Sequence, residues 1–313
     1  MMTIEIFKPF GQAFDLTKKI LFQPFDLGKW CVIGFAAFLA NLGGGGGFNF
    51  NYNSRATWRE REVWHNFTGW LRQIPAPVLI LGGAAIVFCL LVIIILFSWL
   101  RARGRFMFLD CIVKNRGAIK EPWLEFRKEG NSLFLLSLAV FFCSALVMTI
   151  VSLPFTVLML RGGTFLHLHG VYLICTIVLW SLVMFALIMA WLVLQHFMIP
   201  VMYCRRCRAI DAVPVVWSLI SDYPGEITLY FLFWIVLAVA SGVVACLTTC
   251  VTCCLAVIPY VGTVILLPVF VCLRSFGLCY LRQFGPGYDV WATLPAPPTS
   301  PSPPTSEAPP LPS

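Results

Sequence analysis

Long apolar runs without charge alternate along this chain with short connections rich in lysine and arginine. The clearest run, Pro75 to Leu100, holds 26 uncharged residues and stops against Arg101, Arg103 and Arg105. A hydrocarbon layer about 30 Å thick is crossed by roughly 20 helical residues, so this run predicts a transmembrane helix. The same pattern predicts spans near Trp30–Phe48, Leu133–Leu160, Val171–Leu194, Ile227–Ile258 and Tyr260–Leu281. Pro259 to Gly262 supplies the turn before the last span, which is interrupted by Pro268 and carries Arg274. The fold class expected is all-α, a polytopic transmembrane bundle of about six spans.

Three connections show a different period. Phe7, Phe10, Phe14, Leu21 and Phe25 recur at helical intervals among Lys8, Asp15, Lys18 and Asp26. Leu109, Ile112, Ile119, Trp123 and Phe126 do the same, as do Ile210, Val213, Trp217 and Ile220. A helix with one aromatic face and one charged face lies in the head-group layer, or packs its apolar face on the spans. These segments define a candidate threefold repeat of amphipathic helix, outward span and inward span. Trp123 and Trp217 are 94 positions apart, as are Arg101 and Gln195, while Phe106–Met107 and Phe197–Met198 match at 91. Gly28, Gly130 and Gly225 each precede an outward span. Parallel repeats occur in transporters and also in proteins that transport nothing.

Composition supports the membrane reading and removes others. Hydrophobic residues make up 59% of the chain and charged residues 12%, with a mean hydropathy of +0.86. A soluble domain is about 45–50% apolar and about 25% charged. The net charge of +8 comes from basic residues beside span ends, where they set orientation and meet anionic head groups, so nucleic acid is not an expected partner. All of the 22 lysines and arginines except Arg55, Arg59, Arg61, Arg72 and Arg161 fall on one side of the expected topology. The positive-inside rule therefore places both termini in the cytoplasm, with the chain in a plasma or bacterial inner membrane. Residues 1–29 are expected as a cytoplasmic interfacial helix and 30–283 as the membrane domain. Residues 284–313, proline-rich in PAPPTSPSPPTSEAPPLPS, are expected as an extended, disordered tail. Glu5, Asp15 and Asp26 make the first 29 residues a poor signal peptide, so the first span is expected to remain as an anchor.

The stretches AFDLTKKILFQPFDLGKW (13–30) and RGRFMFLDCIVKNRGAIKEPWLEFRKEGNSLF (103–134) resemble uncharacterised prokaryotic six-span membrane proteins. These are distantly similar to the membrane domain that accompanies some glycerophosphoryl diester phosphodiesterases. The resemblance covers about residues 7–284 and implies a membrane-embedded domain without an assigned activity. It brings no phosphodiesterase catalytic domain.

Candidate chemistry is sparse. His167 and His169 are two positions apart on the expected outer side, with no carboxylate or thiol near them to complete a metal site, so no metal or cofactor is expected. Cys204 and Cys207 form a CxxC flanked by arginines, which would lower a thiol pKa; a lone CxxC is a weak signal. Ser241, Gly242 and Ala245, followed by Cys246, Cys250, Cys253 and Cys254, make a small-residue stripe that reads first as a helix-packing surface. Asn66 with Thr68 forms a glycosylation sequon in an outer loop that begins with five glycines. Polar groups inside a bilayer are costly, and Arg101, Gln195 and Arg274 share a depth near the inner ends of three spans. They form a candidate polar ring at the cytoplasmic mouth, suited to an anionic lipid head group or solute, unless each side chain snorkels to the interface by itself.

The function expected is non-enzymatic: membrane organisation, lipid contact or membership of a membrane assembly, with anionic lipids as partners and a protein partner or homo-oligomer left open. The alternative is a transporter or permease-like protein for an anionic solute or lipid, with a cavity at the ring as its mark.

Overall fold

The computed structural model describes residues 5–42, 75–160, 166–252 and 258–292. The described chain is helical throughout: α1 (Phe7–Phe22), α2 (Leu27–Asn41), α3 (Ala76–Val113), α4 (Lys120–Glu125), α5 (Arg127–Leu160) and α6 (Leu166–Val193). A π-helical turn, Leu194–Met198, joins α6 to α7 (Ile199–Arg205), which is followed by α8 (Ala209–Asp222) and α9 (Pro224–Val251). The short α10 (Pro259–Ile265) and α11 (Leu267–Leu281) close the bundle before two single 3-10 turns.

Among the described residues four helical stretches are long and apolar enough to cross a membrane: α3, α5, α6 running on through α7, and α9. Their apolar side chains face outward, as with Leu81 at 74% exposure on α3 and Leu182 at 61% on α6. Water would not tolerate such a surface, whereas lipid matches it. The other two expected spans take a different form. In place of Trp30–Phe48, α2 has 15 residues, begun by Asp26, whose Oδ1 accepts from the Gly28 and Lys29 amides at 2.8 and 3.4 Å. In place of Tyr260–Leu281 stand α10 and α11, broken at Leu266 ahead of Pro268. Each is shorter than the roughly 20 residues a crossing needs, so the expected count of six rests on these two elements.

The core lies at one end of the long helices. Phe106, Leu109 and Ile112 from α3, Met202 from α7, and Val271 and Phe276 from α11 are all buried. α2 runs antiparallel to this end of α3, with Gly117 beside Lys29 and Gly104 against Leu39. At Gly104 a Cβ would stand 2.6 Å from the Leu39 Cβ and 2.7 Å from its carbonyl carbon, so only glycine permits the crossing. The end of α2 therefore meets α3 some 28 residues from its start, about 42 Å along the axis at 1.5 Å per residue.

The three expected amphipathic segments differ from one another. α1 forms, but buries Ala13, Thr17, Ile20 and Leu21 and leaves Phe7 and Phe14 exposed. α8 buries Ala209, Ala212, Val216 and Leu219, leaving Ile210, Val213 and Trp217 outside. The middle segment is not one helix: Leu109 and Ile112 belong to the buried end of α3, and Trp123 to the six-residue α4. Repeat-related positions divide similarly. Phe106, Met107, Phe197 and Met198 are all buried, whereas Trp123 packs at 5.8 Å from Trp99 and Trp217 lies 69% exposed.

Candidate functional site

The π turn at residues 194–198 precedes Pro200, and the two are linked. In a π register the Gln195 carbonyl would accept from the amide of residue 200, but proline has no N–H. That carbonyl instead accepts from the Arg274 Nη1 on α11 at 3.1 Å. The Gln195 side chain turns the other way, and its Oε1 accepts from the Arg105 Nη2 on α3 at 2.7 Å. Gln195 thus clamps two guanidinium groups from two other elements.

Two of the three expected ring residues, Gln195 and Arg274, are brought into contact. Arg101 is set back: its guanidinium carbon lies 5.9 Å from the Trp191 ring, and its Nε has no hydrogen-bond partner. Arg105, one helical turn further along the same face of α3, occupies the place expected for Arg101. Arg101 and Arg274 are both close enough to act electrostatically on Arg105. None of the three forms an ion pair with a described carboxylate, and the Arg274 Nη2 is sealed from solvent without an acceptor.

Arg105 and Arg274, but not Arg101, border a cavity of about 440 Å³, within the 300–1,000 Å³ range typical of ligand pockets. Arg105, Gln195, His196 and Arg274 line it, together with Trp234, Ser241, Gly242 and Ala245 of α9. Ser241, Gly242 and Ala245, the start of the expected packing stripe, thus line this cavity, and among the described residues a Cβ added at Gly242 meets nothing within 4 Å. Cys246 and Cys250 are exposed, and Cys253 and Cys254 lie outside the described residues. His196 is held by the Tyr230 hydroxyl, 3.0 Å from its Nδ1, and by the Trp234 ring at 4.8 Å. Tyr230 in turn stacks on Phe276 at 5.5 Å, and Gly277 leaves room for its hydroxyl.

Several other charges near this end are paired. Arg103 donates to the Asn131 Oδ1 at 3.1 and 3.2 Å and lies over the Trp99 and Trp123 rings, joining α3, α4 and α5. Asp110, wholly buried, accepts from the Tyr203 hydroxyl at 2.9 Å and pairs with Lys114 at 2.8 Å and Arg116 at 3.4 Å. Arg116 also pairs with Glu121. Arg206, in a left-handed cap at φ 50°, stands over the Phe126 ring and pairs with Glu125. Although partial burial opposes it, hydrogen bonding to Arg206 and Lys114 holds the Glu125 carboxyl below its ordinary value.

Cys204 and Cys207 are both half-buried free thiols. The arginines beside them point elsewhere, Arg206 to Glu125 and Arg205 toward the Tyr288 ring. Burial, helped by Asp211, pushes the Cys207 thiol up, opposite to the activation expected from the flanking bases. The His167 and His169 side chains, Asn66, and the chain from Pro295 onward lie outside the described set.

Neither a curated protein nor a solved structure matches the chain. A family match carries no tie to glycerophosphoryl diester phosphodiesterases, so that distant likeness gains no support from it. The match covers residues 5–288, nearly the whole chain, and the protein belongs to a family of unknown function (DUF7544).

Proposed function

We propose that this protein is a non-catalytic component of the plasma or bacterial inner membrane that receives an anionic group at the cytoplasmic end of its helix bundle. Its role is lipid contact and membrane organisation. One observation carries this reading: Arg105 and Arg274 are clamped by Gln195 at the wall of a cavity that no carboxylate lines among the described residues. Unpaired buried charge is unfavourable, and an anionic group in the cavity would relieve it.

Depth supports the same assignment. The apolar stretch of α3 ends at Leu100, and Arg101, Arg103 and Arg105 follow within one and a half turns, the level at which head-group phosphates reside. The exposed rows of α1 and α8 suit the same layer.

Purified protein in a neutral detergent, titrated with phosphatidylglycerol and followed by native mass spectrometry, tests the reading. The wild type is expected to retain this lipid, and Arg105→Met with Arg274→Met to bind it at least tenfold more weakly. A tenfold loss is about 1.4 kcal/mol, a floor below the roughly 1.5–3 kcal/mol of each charge-assisted hydrogen bond lost to the head group. Equal binding by the double variant would overturn the proposal. The cavity also favours a second reading, a permease for an anionic solute or lipid; flux of a soluble anion into liposomes separates it from simple contact.

A further inference from the structure

We infer that the anion is carried by a membrane lipid, with its head group at Arg105 and Arg274 and an acyl chain lying along the small-residue wall of α9. The inference rests on the anion-receiving reading above and adds the seat of the lipid's acyl chain.

The cavity has two unlike ends. At the first stand Arg105, Gln195, His196 and Arg274, rich in donors and, among the described residues, without a carboxylate. At the other, Ala238, Ser241, Gly242 and Ala245 follow Trp234 along one side of α9, a wall about 16 Å long at 1.5 Å per residue. Phe270 and Leu273 of α11 also line the cavity, so the space away from the arginines is largely apolar. A compact hydrophilic anion would fill the first end and leave the second empty, whereas an amphiphile matches both.

The opening points to the same source. Gly242 lines the cavity and is itself exposed, with Val239 and Val243 beside it at 64% and 54% exposure. The cavity thus reaches the apolar flank of a helix of membrane-spanning length. A ligand arriving there comes from the hydrocarbon layer.

Gly242→Leu separates the two ends, because it fills the apolar wall and leaves the arginines untouched. Its added side chain begins in open space, so the variant is expected to fold; Ala245→Leu, about one turn further along, is the second variant, and melting temperature is measured for both. Each protein is titrated with phosphatidylglycerol and with glycerol phosphate, which presents the phosphate without chains. The wild type is expected to bind the lipid at least tenfold more tightly than glycerol phosphate. Both leucine variants are expected to lose at least tenfold toward the lipid and to keep glycerol phosphate binding unchanged.

Unchanged lipid binding in both folded leucine variants overturns the inference, as does wild-type binding of glycerol phosphate as tight as that of the lipid. Either result leaves the anion-receiving reading intact. Failure of Arg274→Met to weaken both ligands overturns that reading itself.

Discussion

Asp110 is fully buried and has four potential hydrogen-bonding sites to satisfy, and three side chains from two parts of the chain converge on it. Truncating it leaves the Tyr203 hydroxyl without its acceptor and takes one of two carboxylate partners from Lys114 and from Arg116, which keep Glu125 and Glu121; both cations are partly solvated, so the cost falls below the about 3–5 kcal/mol of breaking a fully buried ion pair. Asp110→Ala is therefore expected to lower the melting temperature in detergent, while Tyr203→Phe, which removes one hydrogen bond to a charged group, costs about 1.5–3 kcal/mol. Comparable melting of Asp110→Ala and wild type would contradict this role. The Asp110–Lys114 spacing of four within an apolar run was a signal available in the sequence, but the pattern there read as the polar side of a surface helix. Cys207 shows the converse. Its arginine neighbours are legible in the sequence, yet their direction and its burial are not, and burial decides. Peptide mapping after brief iodoacetamide treatment at pH 7 is expected to find Cys207 labelled slowly, with the rate rising above pH 9; rapid labelling at pH 7 would mean a thiolate is present.

At the scale of elements, one close approach sets how α2 packs on α3. Arg101 and Arg105 share a face of α3, one turn apart, so periodicity alone does not say which of them meets Gln195. The Gly104–Leu39 approach fixes the position of α2 beside α3, and Arg105 is the one that meets Gln195. Gly104→Ala is expected to destabilise by about 1–3 kcal/mol or more, because backbone stands in the way. Gly225→Ala, where a Cβ meets nothing within 4 Å, is expected to be neutral. Thermal unfolding of the two variants side by side checks the contrast. Other pairings have no local signal: His196 meets Tyr230 across 34 positions, and nothing in either neighbourhood announces it. The long helices were legible because 20 apolar residues leave few alternatives. The break at Leu266 was half legible, through Pro268, whereas the brevity of α2 was hidden by an apolar run that reads on past Asn41.

Across the whole molecule, the two ends of the described chain are tied together. The Glu5 amide donates to the Gln283 Oε1 at 2.9 Å, and the Gln283 Nε2 donates back to the Glu5 carbonyl at 2.8 Å. Residues 5 and 283 therefore meet at one end of the bundle, the end that the proposed topology puts in the cytoplasm. Epitope tags fused at either terminus are expected to resist protease added to intact cells and to be cleaved after permeabilisation. Protection of only one tag would contradict the pairing.

The same tie imposes an order in time. The seat of α1 is α11, where Phe10 meets Phe276 at 6.4 Å, and α11 emerges some 260 residues after α1 is complete. At about 5–20 residues per second, the ribosome leaves the row from Ala13 to Leu21 without its native neighbour for roughly 13–50 s. Through that interval the nascent segment needs a temporary host, and the surface of the membrane into which its successors are being threaded is the nearest one.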